Sequence, residues 1–74
     1  MEVSVRLFGT LRDLMGERRT VSLDAGTTVT GLLKSLGLEE KGISLTVVNG
    51  VQVEAAHVLQ DGDQVMIVPP VIGG

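Results

Sequence analysis

The segment ISLTVVNGVQV, residues 43–53, restricts this chain to folds that contain an antiparallel β-hairpin. Both halves of the segment are rich in β-branched residues, which favour an extended backbone in a pleated sheet. Asn49 and Gly50 separate the halves, and this dipeptide is typical of a two-residue type I′ turn because both residues tolerate positive φ angles. The sequence therefore predicts two strands joined by a tight turn.

Alternation of apolar and polar residues predicts further strands towards both ends of the chain. In the first of them, Val3, Val5 and Leu7 alternate with polar side chains, and Phe8 continues the pattern on the other face. A shorter alternation precedes the motif DAGTT, and another follows the turn motif QDGD. These two alternations consist of Val21 and Leu23 and of Val65 and Ile67.

Apolar residues at helical spacing predict two helices. Thr10 is expected to cap a short helical turn that ends at Gly16, and Thr28 to cap the main helix, which ends at Gly37. Gly31 lies inside the main helix, where glycine costs about 1 kcal/mol relative to alanine, so we expect it to pack closely against the sheet. The apolar stripes consist of Leu11, Leu14 and Met15 in the short turn and of Val29, Leu32, Leu33 and Leu36 in the main helix.

The order of these elements predicts an α+β roll, with one mixed sheet of four to five strands and one main helix packed across one face. The 74 residues suffice for a single domain with a single core. Because only 1% of the residues are aromatic, that core is expected to be built from valine, leucine and isoleucine.

Composition excludes several classes of function. The chain has no cysteine, which excludes disulfides, thiolate metal sites, iron–sulfur clusters and a persulfide on its own side chains. Its net charge of −3 argues against nucleic acid as a partner. No apolar run approaches the roughly 18 residues of a membrane span and no signal peptide is recognisable, so we expect a cytoplasmic location without a membrane partner.

The basic residues are unevenly distributed. Four of the six arginines and lysines lie within the first nineteen positions. They form either an ordinary solvated surface or a charged docking surface for a protein partner. The four residues are Arg6, Arg12, Arg18 and Arg19.

A few residue types that often carry chemistry are better interpreted as structural here. His57 is the only histidine and has no carboxylate at ligand spacing, so a surface position in a loop is expected. Asp61 and Asp63 flank a glycine, a pattern typical of a turn, and no metal site is expected. Phe8 fits equally well in the core or in an exposed apolar docking patch.

The segment VPPVIGG, residues 68–74, is the candidate functional site. Its prolines end the last strand and favour a stiff, extended start to a tail over residues 69–74, separate from a globular domain over residues 1–68. The glycines have no side chains and can enter a channel too narrow for other residues, which leaves the terminal carboxylate accessible for reaction. The expected roles are direction for Pro69 and Pro70, anchorage for Val71 and Ile72, access for Gly73 and chemical modification for Gly74.

With this tail, the chain resembles the ubiquitin-like sulfur carriers of the MoaD/ThiS group, and the resemblance covers essentially the whole sequence. VRLFGTLRDLMG is similar to the opening of the small subunit of molybdopterin synthase, VNG to its central hairpin, and LQDGDQVMIVPPVIGG to its last strand and tail. The resemblance implies a β-grasp, ubiquitin-like fold. It also implies that the chain alone is a non-catalytic carrier that acts as the small subunit of a sulfurtransferase.

The resemblance further implies a reaction cycle and its partners. A ubiquitin-activating-like adenylyltransferase would use ATP to adenylate Gly74, and a sulfur donor such as a cysteine desulfurase or rhodanese would convert it to a thiocarboxylate. The large subunit of molybdopterin synthase would receive the tail, in a heterotetramer of two small and two large subunits. Sulfur would then pass to cyclic pyranopterin monophosphate in molybdenum cofactor biosynthesis, with no cofactor bound to the carrier itself.

Three other functions fit the same residues. The first is the same sulfur chemistry for thiamine thiazole synthesis or tRNA thiolation. The second is a ubiquitin-like protein modifier that is conjugated to lysines through Gly74. The third is a β-grasp binding module in which the tail has no role.

Overall fold

The computed structural model describes residues 1–38, 43 and 45–70, which form five strands and two helices. In chain order the elements are β1 (Glu2–Leu7), α1 (Gly9–Met15), β2 (Arg18–Ser22), α2 (Val29–Ser35), β3 (Leu45–Val48), β4 (Val51–Val53) and β5 (Gln64–Val68). No helix among these described residues is long and apolar enough to cross a membrane.

The strands form one mixed sheet in the order β2-β1-β5-β3-β4. The first and last strands lie side by side in its centre and run parallel, with Val5 opposite Val65 and Leu7 opposite Ile67. The other neighbours are antiparallel. The predicted α+β class, with a mixed sheet of four to five strands, is therefore confirmed.

An aliphatic core fills the space between α2 and one face of the sheet. Alternate residues of β1 and β5 point into it, as their alternating burial patterns show. The helix α2 contributes the apolar stripe that its spacing predicted. The fully buried side chains are Val3, Val5, Leu7, Val29, Leu32, Leu59, Val65 and Ile67.

The β3–β4 turn has the geometry expected of an Asn-Gly hairpin, with φ of 51° at Asn49 and 86° at Gly50. The Asn49 side chain also ties this turn to the start of β5. Its Nδ2 donates to Asp63 Oδ1 at 2.9 Å, and its Oδ1 accepts from the Gln64 backbone N–H at 2.9 Å. Asp63 Oδ2 accepts from the Gln60 backbone N–H at 2.8 Å, so both oxygens of this buried carboxylate are used.

The helix α2 begins and ends close to its predicted limits. Thr28 caps it, with its hydroxyl oxygen accepting from the Gly31 N–H at 3.3 Å, and Gly37 adopts a positive φ of 75° just beyond its end. The prediction that Gly31 packs against the sheet is wrong. A Cβ built at Gly31 would lie 2.8 Å from Thr27 Cγ2, so its close neighbour is the turn that precedes the helix.

The start of α1 differs from its prediction. The helix begins at Gly9, with Phe8 at the N-cap position and no capping side chain, so Thr10 lies inside the helix. Gly16 ends it with φ of 89°, as expected. With seven residues, α1 is as long as α2 and is more than a brief turn.

Two predicted strands end one residue early. Phe8 does not extend β1, which ends at Leu7, and Leu23 lies just after β2. Leu23 is nevertheless held beside the first residue of the chain, since its N–H donates to Met1 O at 2.8 Å.

Candidate functional site

The parallel pairing of β1 and β5 determines where the chain leaves the sheet. Because the two strands run in the same direction, both finish at the same end of the sheet. Phe8 and Gly9 follow β1 there, beside the last residue of β5 and the two prolines. We call this group the tail exit and define it as Phe8, Gly9, Val68, Pro69 and Pro70.

Gly9 allows the chain after β5 to pack against the chain after β1. Its φ is +57°, in the region that favours glycine, and a Cβ built on it would lie 3.2 Å from Pro69 Cγ. The Pro69 ring is half-buried, whereas Pro70 is exposed. Pro69 is thus held against the protein and Pro70 is the point at which the chain reaches solvent.

Phe8 lies at the same end of the sheet, on its solvent side, with the Arg6 side chain over its ring. The Arg6 guanidinium lies 5.1 Å from the centroid of the Phe8 ring, and its Nη2 lies 3.5 Å from Glu17 Oε1. An exposed cation–π contact of this kind contributes about 0.5–1 kcal/mol. The contact holds the ring against the sheet while leaving it half-buried rather than in the core.

An apolar strip on the open face of the sheet leads to the tail exit. In the β3–β5 pairing, Leu45 lies opposite Val68 and Val47 opposite Met66. The alternate residues of both strands face the core, so these four point to the other side, where all four are half-buried. Together with the Phe8 ring they give a partner an apolar surface next to the tail.

The predicted site residues divide into two sets. The structure brings together Pro69, Pro70 and Phe8, and it gives Phe8 a surface position. Val71, Ile72, Gly73 and Gly74 lie outside the described residues.

The packing of Gly9 against Pro69 and the position of Arg6 over Phe8 were not predicted from the sequence, although Arg6 was among the basic residues considered for a docking surface. For Arg6 a signal existed, because residues two apart in a strand share a face and Arg6 precedes Phe8 by two. For Gly9 there was none, since its role depends on the parallel neighbour β5.

The residues interpreted as structural have structural positions. His57 is exposed in a loop, and its backbone carbonyl accepts from the Val29 N–H at 3.0 Å. Asp61 Oδ1 accepts from the Glu2 backbone N–H at 2.7 Å, which fastens the turn before β5 to the start of β1. Across the part of the chain that the structure describes, no group of three or more histidine and acidic side chains could hold a metal ion.

The side chains of the tail exit carry no nucleophile and no ionisable group, because they belong to phenylalanine, glycine, valine and proline. What this arrangement can do is hold the base of a chain segment in a fixed direction beside an apolar surface.

Comparison with known proteins identifies the family. The model of the ThiS family matches residues 5–74. The chain belongs to the ThiS family. As a member of the ThiS family it has the β-grasp, ubiquitin-like fold, which agrees with its mixed five-stranded sheet and two helices.

Among curated proteins, this ThiS-family chain is similar to small archaeal modifier protein 3 of Haloferax volcanii. The two are 30% identical over an alignment of 92 residues that covers 100% of both chains. The name of this full-length relative describes a protein modifier.

Two solved structures of similar proteins have names that refer to molybdopterin. A putative molybdopterin converting factor subunit 1 from Pyrococcus furiosus is 28% identical, with a TM-score of 0.78 over 96% of this chain and 99% of that one. The complex of subunits 1 and 2 of the molybdopterin-converting factor from Helicobacter pylori contains a chain that is 26% identical, with a TM-score of 0.69 and full coverage of both chains. A chain similar in fold to this one is therefore found in a complex of two different subunits.

Proposed function

We propose that this chain is a sulfur carrier that acts as the small subunit of molybdopterin synthase, with Gly74 as the residue that is chemically modified. The observation that carries the proposal is that the segment PPVIGG comes directly after β5. At that end of the sheet Pro69 packs against Gly9 and Pro70 faces solvent. The similarity to a molybdopterin converting factor subunit supports this choice of pathway.

In the first half of the proposed cycle, the Gly74 carboxylate is activated. A carboxylate is a poor electrophile, so its oxygen first attacks the α-phosphorus of ATP on an adenylyltransferase, and pyrophosphate leaves. A persulfide on the donor, a cysteine desulfurase or rhodanese, then attacks the acyl carbon and AMP leaves. A second thiol cleaves the resulting acyl disulfide, which leaves the thiocarboxylate on Gly74 and a disulfide on the thiol components.

In the second half, the large synthase subunit receives the charged tail. Sulfur replaces an oxygen of cyclic pyranopterin monophosphate, and water cleaves the acyl–sulfur bond to regenerate the Gly74 carboxylate. The product, molybdopterin, contains a dithiolene with two sulfur atoms, so each product molecule requires two carriers that bear a thiocarboxylate. This requirement is in keeping with a heterotetramer of two small and two large subunits. The apolar strip and Phe8 would supply the docking surface, with Val71 and Ile72 as anchors.

A second candidate function is a ubiquitin-like modifier, in which the activated Gly74 acyl group is transferred to a lysine amine of a target protein. The full-length similarity to small archaeal modifier protein 3 favours this alternative. Both functions share the adenylation step and differ in the nucleophile that displaces AMP.

Intact-mass spectrometry separates the two functions. The full chain is incubated with ATP, an adenylyltransferase of the ubiquitin-activating type and a persulfide donor, with and without the large synthase subunit and its pterin substrate. The carrier predicts a mass increase equal to the replacement of one oxygen by sulfur, and its reversal when the pterin is thiolated. The modifier predicts isopeptide-linked conjugates instead.

A truncated chain lacking Gly73 and Gly74 is the matched control. It should keep the unfolding free energy of the full chain, because the buried core residues that the structure describes all lie between Val3 and Ile67. The truncated chain should not acquire the thiocarboxylate. Undiminished pterin thiolation by the truncated chain would refute both the carrier and the proposed role of Gly74.

A further inference from the structure

Among the strands that the structure describes, none pairs with the outer side of β2. β2 is one of the two outermost strands of the sheet, with β4 at the opposite side, and of the described strands it is hydrogen-bonded only to β1. The Leu7 N–H donates to Glu17 O and the Leu23 N–H donates to Met1 O, both on the side of β2 that faces β1. Because facing and outward residues alternate in an antiparallel ladder, Arg18, Thr20 and Ser22 direct their N–H and C=O groups away from the sheet.

This free edge is positively charged on an otherwise acidic protein. Arg18 and Arg19 are both exposed, and among the described residues neither forms an ion pair or a side-chain hydrogen bond. Arg6 lies opposite Arg18 across the β1–β2 pair, and its ion-pair partner among the described residues is Glu17, at 3.5 Å. The net charge of the whole chain is −3, so this edge contrasts with the rest of the molecule.

The positions of the two free arginines indicate what the edge can accommodate. The Arg18 side chain lies on the open face of the sheet with Arg6, and Arg19 follows it on the opposite face. A strand added at this edge therefore meets positive charge on both of its faces. A second copy of this chain would bring its own arginines to the same ribbon, whereas an acidic strand would neutralise them.

We propose that β2 is a docking edge for an extended, acidic segment of a partner protein, which adds to the sheet as a sixth strand. Its backbone pairs with the outward groups of Arg18, Thr20 and Ser22, and its carboxylates contact Arg18 on one face and Arg19 on the other. β2 begins at the end of the sheet where the tail exit lies. Two strand spacings of about 4.8 Å separate β2 from β5, a distance of about 10 Å. Binding of a partner strand at β2 does not depend on the chemistry of Gly74.

The test titrates the ¹⁵N-labelled full chain with the blocked peptide TDETDET at up to about 1 mM, a range in which weak complexes are detected. The expected result is a shift of the amide signals of residues 18, 20 and 22, slower hydrogen exchange at these amides, and weaker binding at higher salt. The peptide TKKTKKT is the matched control and should not bind. Equal binding of both peptides, or no binding of either, would overturn the proposal.

Two variants and one control test separately whether binding depends on the positive charge of the edge and on backbone pairing with it. Arg18→Glu together with Arg19→Glu should weaken binding by roughly tenfold or more, the sum of two exposed ion pairs and the new repulsion, while Lys34→Glu on α2 should not. Thr20→Pro keeps both arginines and removes an outward N–H that β1 does not use, so it should abolish binding while the β1 amide signals stay in place.

The remaining outcomes of these experiments argue against the proposed occupant. Unchanged peptide affinity in Thr20→Pro would mean that the edge attracts acid without adding a strand. Concentration-dependent dimerisation through the same amides, without peptide, would make a second copy of the chain the occupant. Either result overturns the proposal.

Discussion

Gly9 is the residue on which the geometry of the tail exit depends. It combines a positive φ of 57° with a neighbour, Pro69, whose Cγ would lie 3.2 Å from an added Cβ. The first property makes any side chain conformationally costly, and the second makes it sterically costly as well. The two costs can be separated by experiment.

We expect Gly9→Ala to lower the free energy of unfolding by more than about 1–2 kcal/mol, the usual cost of a left-handed backbone at a residue with a Cβ. Gly37→Ala is the matched control, because Gly37 has a φ of 75° and, apart from its two chain neighbours, no atom of the other described residues lies within 4 Å of its Cβ position. Urea unfolding measures both. The excess loss in Gly9→Ala reports the contact with Pro69, and equal losses would show that this contact imposes no constraint.

At this scale the sequence predicts the residues whose role depends on their immediate neighbours. The Thr28 cap and the Asn49–Gly50 turn are of this kind, and both are confirmed. Gly9 is different because the residue that crowds it lies at the other end of the chain. Thr10 was a wrong choice of N-cap, since α1 already begins at Gly9, one residue earlier.

Among the elements, the β3–β4 turn is joined to the start of β5 by several hydrogen bonds, one of which is the side-chain pair of Asn49 and Asp63. Asp63 is only 8% exposed and accepts hydrogen bonds through both oxygens, from Asn49 Nδ2 and from the Gln60 backbone N–H. Sequence patterns found the two turns separately. Their connection could not be read from either pattern, because it arises from the pairing of β3 with β5.

We expect Asp63→Ala to cost about 1–3 kcal/mol of unfolding free energy, because it leaves two donors in this part-buried site without an acceptor. Asn49→Gly removes the partner side chain and keeps a residue that tolerates the positive φ of 51°. In a double-mutant cycle measured by urea unfolding, the two changes should couple by about 0.5–3 kcal/mol. Strict additivity would show that the pair is not energetically linked.

For the whole molecule, a small aliphatic core implies a narrow margin of stability. A domain of this length is expected to unfold with about 4–11 kcal/mol, and the core is shared among a few buried side chains. The apolar periodicity predicted most of these side chains correctly, because α2, β1 and β5 each bury one face. The order of the strands in the sheet, in contrast, follows from the packing of all of them together.

Leu32 and Leu14 provide a matched test of this margin, since Leu32 is 0% exposed and Leu14 is 81% exposed. We expect Leu32→Ala to cost about 2–5 kcal/mol, a large fraction of the total stability. Leu14→Ala should change the unfolding free energy by no more than about 0.5 kcal/mol. Urea unfolding of the two variants checks the expectation, which fails if their losses are similar.

The central position of β1 and β5 also has a consequence for synthesis on the ribosome. Ser4 pairs with Gln64, so the middle of the sheet stays open until the residues of β5 have been translated. A nascent polypeptide released before β5 lacks the strand that joins the β1–β2 pair to the β3–β4 pair, and its interior is incomplete. Prematurely terminated products therefore cannot reach the native state, and the molecules that do are those whose translation has reached the first residues of the tail.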